Sequence, residues 1–239
     1  MPLVRKLFWL VIISISLGYL ESAVVVYLRK IYYPNGFIFP LVEFDNVILK
    51  TEMIRELSTI IILFGISNLF SNALYRKLAS FLLCFGIWDI SYYIFLKLLI
   101  NWPKSFFSWD ILFLFPVPWL GPVLAPIINS LTMLIFAFAL FYYSQKKIML
   151  NINFYELFLL AIGSIIVLCS FTLSYLKEFF NNGFDTHRNI YQNINQENMV
   201  TILVPENFSW IIFSIGELLI LIGIILMIKR LRNLRRPYK

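Results

Sequence analysis

Six apolar runs constrain this chain more than any other feature of its sequence. A helix of about 20 apolar residues is long enough to cross the hydrocarbon core of a bilayer. The runs extend over Leu7–Leu28, Ile54–Leu74, Leu78–Leu99, Val123–Tyr143, Phe154–Leu176 and Phe208–Ile228. The sequence therefore predicts an all-α integral membrane protein, a six-span helical bundle in which residues 1–239 form a single transmembrane domain.

Composition favours the same class and argues against nucleic-acid binding. Charged residues make up 14% of the chain, whereas soluble domains average about 25%. The net charge is +7, but the basic residues lie mostly at the ends of apolar runs and form no basic-aromatic binding motif. We expect membrane lipids as partners and no nucleic acid, and further membrane subunits remain an open alternative.

The lysines and arginines set the expected orientation. Six spans put both termini on one side, together with short basic turns and a basic tail at 229–239: Arg5, Lys6, Arg76, Lys77, Lys146 and Lys147. The positive-inside rule places that side in the cytoplasm. The first run is expected to be retained as a signal anchor, and longer loops at 29–51 and 177–207 are expected on the outer side.

Four prolines interrupt the apolar stretch before the fourth span: Pro116, Pro118, Pro122 and Pro126. Because proline lacks an amide donor and clashes with the preceding turn, residues 115–126 are not expected to form a regular helix. One alternative is a re-entrant segment that lines a site and is covered by protein or a water-filled cavity. The other is an interfacial segment that lies flat on the outer surface, anchored by Trp109 and Trp119.

Charged residues within or beside the spans are the main indication of function. Glu21 lies in the outer half of the first span, and a carboxylate in hydrocarbon is costly enough to mark a functional position. Other charged residues fall at similar depth: Glu52, Arg55, Glu56, Asp89, Lys97 and Asp110. Together they predict one polar site, open to the outer side, for a proton, a cation or a small solute.

Local spacing supports this site. Glu52 and Glu56 are four residues apart and share a helix face, where Arg55 can reach Glu52. Their excess negative charge suits a cation or a proton-carrying carboxyl group. Alternatively, the two acids simply favour the first turn of a helix, where the macrodipole is positive. We predict that Glu21 and Arg55 lie within salt-bridge or one-water distance, because either group would be costly without a partner.

Asp89, Tyr93 and Lys97 follow one another at intervals of four and predict a polar stripe on the third span. Asp89 and Lys97 would lie about 12 Å apart along the helix, too far to pair directly. Glu21 and Arg55 are therefore their candidate partners. The alternative is a buried ion-pair network that only fixes helix packing.

The remaining residues of interest lie away from this group. Glu217, in the middle of the sixth span, is either a second proton or cation element or a protonated carboxyl group bonded to a neighbouring helix. Glu156 lies near a helix end and is expected to be solvated. Cys84 and Cys169 lie inside apolar runs, and His187 is the only histidine, so neither a metal site nor a cofactor is expected.

A pattern of aromatic, charged and proline residues runs from the third span into the proline-rich segment: Trp88-Asp89, Tyr92-Tyr93, Lys97, Trp102-Pro103, Trp109-Asp110 and 116–122. It is similar to a pattern in a family of bacterial polytopic membrane proteins of unknown function. The resemblance implies a bacterial cytoplasmic membrane protein. It implies no activity, substrate or site residue.

Three classes of function remain open. The first is transport or ion handling at the polar site. The second is a membrane-embedded enzyme for a lipid or lipid-linked substrate, with one of the acids as general acid or base. The third is a non-catalytic subunit of a larger membrane complex. The sequence contains no GxSxG, Walker A, HExxH or glycine-rich dinucleotide motif, and it does not decide whether the protein is an enzyme.

Overall fold

The computed structural model describes residues 3–37, 45–145, 153–182 and 207–234. Within them, six helices are long and apolar enough to cross a membrane. They are α1 (Leu3–Tyr32), α2 (Asn46–Phe70), α3 (Leu74–Ile100), α4 (Leu124–Gln145), α5 (Phe154–Asn182) and α6 (Trp210–Leu234). The prediction of an all-α membrane bundle is confirmed.

Helix α2 begins well before its apolar run. The side chain of Asp45 accepts a hydrogen bond of 3.0 Å from the backbone N–H of Val47, which satisfies one of the free amides at the start of the helix. Glu52 and Glu56 consequently lie beyond the first turn, which contains no acidic residue. The alternative in which the macrodipole holds both acids in the first turn is wrong.

Helix α3 lies at the centre of the first four helices, whereas α5 and α6 pack mainly against each other. Small residues allow these helices to approach closely, as is usual in membrane bundles. A Cβ atom on Gly18 of α1 would lie 2.8 Å from the carbonyl oxygen of Trp88 in α3, and one on Gly216 of α6 would lie 2.9 Å from that of Gly163 in α5.

The proline-rich segment forms an antiparallel hairpin between α3 and α4. Strand β1 (Trp109–Phe113) pairs with β2 (Trp119–Pro122), with Asp110 opposite Gly121. Leu120 is fully buried, and β2 packs against α4 and α5. The segment is therefore folded into the bundle and does not lie flat on it. The sequence did not predict the strands.

Two further predictions need correction. Residues 124–126 are helical, because α4 begins at Leu124 and its first turn tolerates Pro126, which has no amide to donate. The basic tail predicted at 229–239 is helical in its first part, since α6 continues to Leu234. Its last residues, 235–239, lie outside the described part of the chain, as do Lys146 and Lys147.

Candidate functional site

A cavity of about 120 Å³ lies between α1, α2, α3, α4 and the hairpin, at the end of the bundle where α1 ends and α2 begins. Seven charged side chains line it: Glu21, Arg29, Glu52, Arg55, Glu56, Asp89 and Asp110. The structure thus brings together the residues that the sequence grouped, with the exception of Lys97, and adds Arg29. Their role in binding stays a prediction.

These side chains lie at one depth because each is about equally far along its helix from the end that flanks the hairpin. Glu21 and Asp89 each lie 11 residues before the end of their helix, and Glu56 lies 10 residues after the start of α2. At 1.5 Å per residue, all three lie about 15 Å from the helix ends that flank the hairpin. Chain segments far apart in sequence therefore place carboxyl groups at one level.

Arg55 connects two helices electrostatically. Its guanidinium forms ion pairs with Glu21 of α1 and with Glu52 on its own helix, the latter at 2.6 Å between Nη2 and Oε2. The predicted pairing of Glu21 with Arg55 is confirmed, and so is the reach of Arg55 to Glu52. Two carboxylates thus share one guanidinium, whose fixed donor geometry suits contact with more than one acceptor.

A second ion pair joins Arg29 of α1 to Asp110 of β1, with 2.9 Å between Nη2 and Oδ1. Both residues are buried, and the hydroxyl of Tyr92 donates to Oδ2 of Asp110 at 3.4 Å. Burial raises the pKa of Asp110 above its ordinary value, although the charge of Arg29 acts in the opposite direction. The sequence placed Arg29 at the start of a loop, which is wrong because α1 continues to Tyr32.

Glu56 and Asp89 line the cavity without an ion-pair partner in the described part of the chain. Oε2 of Glu56 accepts a hydrogen bond of 2.8 Å from the backbone N–H of Leu114 in the hairpin. Oδ2 of Asp89 accepts one of 2.7 Å from the hydroxyl of Ser130 in α4. Asp89 is thus held by a neutral hydroxyl and not, as predicted, by Glu21 or Arg55.

The cavity consequently holds more acids than bases. Five of its lining residues carry carboxyl groups and two carry guanidinium groups. Glu52, Glu56 and Asp110 are buried, whereas Glu21 and Asp89 are partly buried. If all seven were ionised, the cavity would carry three uncompensated negative charges, which a low-dielectric environment strongly disfavours.

The polar stripe predicted on α3 extends to Tyr93 but not to Lys97. Tyr93 is buried and lines the cavity. Lys97 is exposed, and its ammonium group donates to the carbonyl oxygen of Pro103 at 3.0 Å. Asp89 and Lys97 are eight residues apart, and this spacing turns their side chains about 80° from each other around the helix axis. The flexible side chain of Lys97 then lets its ammonium group reach the end of the helix.

Two tryptophans provide donors that the sequence did not single out as part of the site. The indole N–H groups of Trp88 and Trp119 are buried and have no hydrogen-bond partner among the described residues, and both side chains line the cavity. A buried donor without an acceptor is unfavourable. The cavity is therefore suited to bind water or another small acceptor beside its carboxyl groups.

Two further membrane acids lie outside this cavity. Glu217 of α6 is buried and accepts a hydrogen bond of 2.8 Å from the hydroxyl of Thr132 in α4. This contact fits the alternative of a carboxyl group bonded to a neighbouring helix. Glu156 is buried and pairs with Arg230 at 2.7 Å, so the prediction that it is solvated is wrong.

Among the described residues, no group of three or more His, Cys, Asp and Glu side chains could hold a metal ion. No protein-family model matches the chain, and no curated protein or solved structure matches it.

Proposed function

We propose that this integral membrane protein handles protons, which it takes up on Glu21, Glu56 and Asp89 as part of a transport or ion-conducting function. The observation that carries the proposal is the excess of five carboxyl groups over two guanidinium groups around one cavity. Protons or a bound cation must neutralise that excess, because an uncompensated charge at membrane depth is costly.

A proton is favoured over a dehydrated metal cation. Metal cations such as Mg²⁺ or Ca²⁺ take several oxygen ligands at about 2.0–2.6 Å, and the described acids do not converge in such a group. Glu56 and Asp89 instead accept hydrogen bonds from neutral donors, among them the backbone N–H of Leu114 and the hydroxyl of Ser130. Single carboxyl groups spaced around a cavity that accommodates water are typical of proton relays.

The size of the acidic cavity itself favours a proton or a small ion over a lipid-linked substrate. Its volume is about 120 Å³, whereas pockets for drug-sized ligands span about 300–1,000 Å³. A lipid-linked substrate would need more room than this. Protons, water and small inorganic ions fit within this volume.

The internal ion pairs argue against the subunit alternative. Arg55, Arg29 and Arg230 each pair with acids of the same chain. A partner chain is therefore not needed to compensate these cations. We further infer that the protein lies in a bacterial cytoplasmic membrane with both termini in the cytoplasm, from the positive-inside pattern and the resemblance of its aromatic motif.

Proton flux into liposomes tests the proposal. The full chain is reconstituted in liposomes that contain a pH-sensitive dye, and the external pH is lowered under a clamped membrane potential. We expect faster internal acidification than in empty liposomes. Glu56→Gln and Asp89→Asn should each lower the protein-dependent rate by at least about tenfold, because an amide cannot take up the proton that a relay carboxyl carries.

Glu217→Gln is the matched control. It replaces another buried membrane acid, keeps an oxygen for the hydroxyl of Thr132 and lies outside the cavity, so its rate should equal that of the unmodified protein. Infrared difference spectra between acidic and neutral pH give a second readout, in which each cavity variant should lose a carboxyl band. Unchanged flux and unchanged bands in both cavity variants would refute the proposal.

A further inference from the structure

A second, larger cleft lies at the same end of the bundle, on the other side of Arg29. Its volume is about 890 Å³, and α1, the residues after α1 and the segment that follows α3 line it. Arg29, Lys30 and Lys104 contribute three cations, and Phe37 and Trp102 contribute aromatic faces. No carboxylate belongs to its described lining. Its charge is thus opposite in sign to that of the acidic cavity.

Arg29 lines both this cleft and the acidic cavity, and one of its terminal nitrogens has no hydrogen-bond partner among the described residues. The residue is 7% exposed, and its Nη1 has no hydrogen-bond partner among the described residues, whereas Nη2 binds Asp110. The guanidinium carbon lies 3.7 Å from the ring centroid of Trp102 and 4.4 Å from that of Phe37. Aromatic faces stabilise the cation, but they leave the N–H groups at the edge of the guanidinium without an acceptor oxygen.

The charge balance of the cleft calls for an anion. Asp110 compensates Arg29 through Nη2. Lys30 and Lys104 are both exposed, and no carboxylate lies among the described residues that line the cleft with them. A negatively charged ligand in the cleft would compensate both lysines, and a ligand oxygen that reached the edge of the Arg29 guanidinium would also satisfy Nη1.

We propose that this cleft binds the phosphate of an anionic phospholipid from the leaflet on its side of the membrane. Arginine and lysine are the usual ligands of phosphate oxygens. The cleft lies where α1 and α3 end, which is the level of the headgroups, and Trp102 and Trp109 line it as interfacial tryptophans do. Its volume suits a headgroup with its glycerol better than a single inorganic ion.

The cleft shares Arg29 with the acidic cavity, but the three acids proposed to take up protons, Glu21, Glu56 and Asp89, do not line it. The test therefore uses lipid binding alone. The full chain in detergent is titrated with short-chain phosphatidylglycerol, with phosphatidylcholine of the same chain length and with inorganic phosphate. Native mass spectrometry counts the bound molecules at each concentration.

We expect one tight phosphatidylglycerol adduct and weaker binding of the other two probes. The double variant Lys30→Ala/Lys104→Ala should weaken that adduct by about thirtyfold, since each basic residue near a membrane surface contributes about 1 kcal/mol. Both lysines are exposed, so the variant retains its fold. Lys177→Ala, at an exposed lysine outside the cleft, is the control and should bind like the unmodified chain.

Equal binding of the anionic and zwitterionic lipids would overturn the proposal. So would a double variant that keeps the tight adduct. Inorganic phosphate that displaces the lipid at equal concentration would assign the cleft to a free anion and overturn its assignment to a membrane lipid.

Discussion

Arg55 is the residue on which most of the cavity's charge balance depends. It forms ion pairs with Glu21 and Glu52, which come from two helices. We expect Arg55→Gln to lower the free energy of unfolding by about 3–5 kcal/mol, because removal of one partner leaves buried charges uncompensated. Equilibrium unfolding in mixed detergent and denaturant measures this loss.

Arg232→Gln serves as the control for that measurement. Arg232 is exposed on α6, and its replacement should change stability by less than about 0.5 kcal/mol. The triple variant with Glu21→Gln and Glu52→Gln beside Arg55→Gln should recover part of the loss, since none of these three positions then carries a charge without its partner. Equal stability of Arg55→Gln and the unmodified protein would show that the ion pairs contribute nothing.

The sequence predicts some of these contacts and misses others for identifiable reasons. Glu21 and Arg55 could be paired because depth along two apolar runs follows from counting residues. Arg29 and Asp110 could not be paired, because Arg29 follows the last apolar residue and Asp110 belongs to a hairpin whose position depends on the fold. Lys97 was misplaced because an interval of four does not stay on one face over two turns.

At the scale of elements, glycines fix how closely α5 and α6 approach. A Cβ atom on Gly216 would lie 2.8 Å from Cγ2 of Val167 and 2.9 Å from the carbonyl oxygen of Gly163. We expect Gly216→Ala to lower the free energy of unfolding by about 1–3 kcal/mol, because the two helices must separate to admit the methyl group. Thermal unfolding in detergent measures the effect.

Gly65→Ala is the matched control for this prediction. A Cβ atom there would meet nothing within 4 Å, so the substitution should be neutral or should stabilise the helix by up to about 1 kcal/mol. If both variants lost stability equally, helix propensity or lipid contact, and not the α5–α6 distance, would explain the loss.

The helices were predictable as elements, whereas the hairpin was not. A run of about 20 apolar residues crosses a bilayer as an α-helix, because its backbone N–H and C=O groups must then form their hydrogen bonds within the segment. The strands are five and four residues long; Pro118 precedes the second, and Pro122 is its last residue. Prolines in an apolar stretch exclude the interior of a regular helix, but they do not specify which structure replaces it.

At the scale of the whole molecule, the predicted orientation has a direct test. Green fluorescent protein or alkaline phosphatase is fused after Lys239, and alkaline phosphatase is inserted after the exposed Phe107, in a bacterial host. We expect fluorescence from the terminal fusion and phosphatase activity only from the insertion, because the basic turns retain both termini in the cytoplasm. The opposite pattern would reverse the orientation and direct the cavity toward the cytoplasm.

The partners of the cavity acids lie early in the chain, and this order affects how the protein can assemble during synthesis. Among the described residues, every hydrogen-bond or ion-pair partner of a cavity acid comes from α1 to α4 or the hairpin, and the last of them along the chain is Ser130. Domains are made from the N-terminus onward, and membrane helices associate after they insert. The nascent chain can therefore form these contacts before α5 and α6 leave the ribosome. Glu156 of α5 can form its ion pair only after Arg230 of α6 has been made. Glu217 of α6 is made after Thr132 of α4, so its hydrogen-bond donor is already in the membrane.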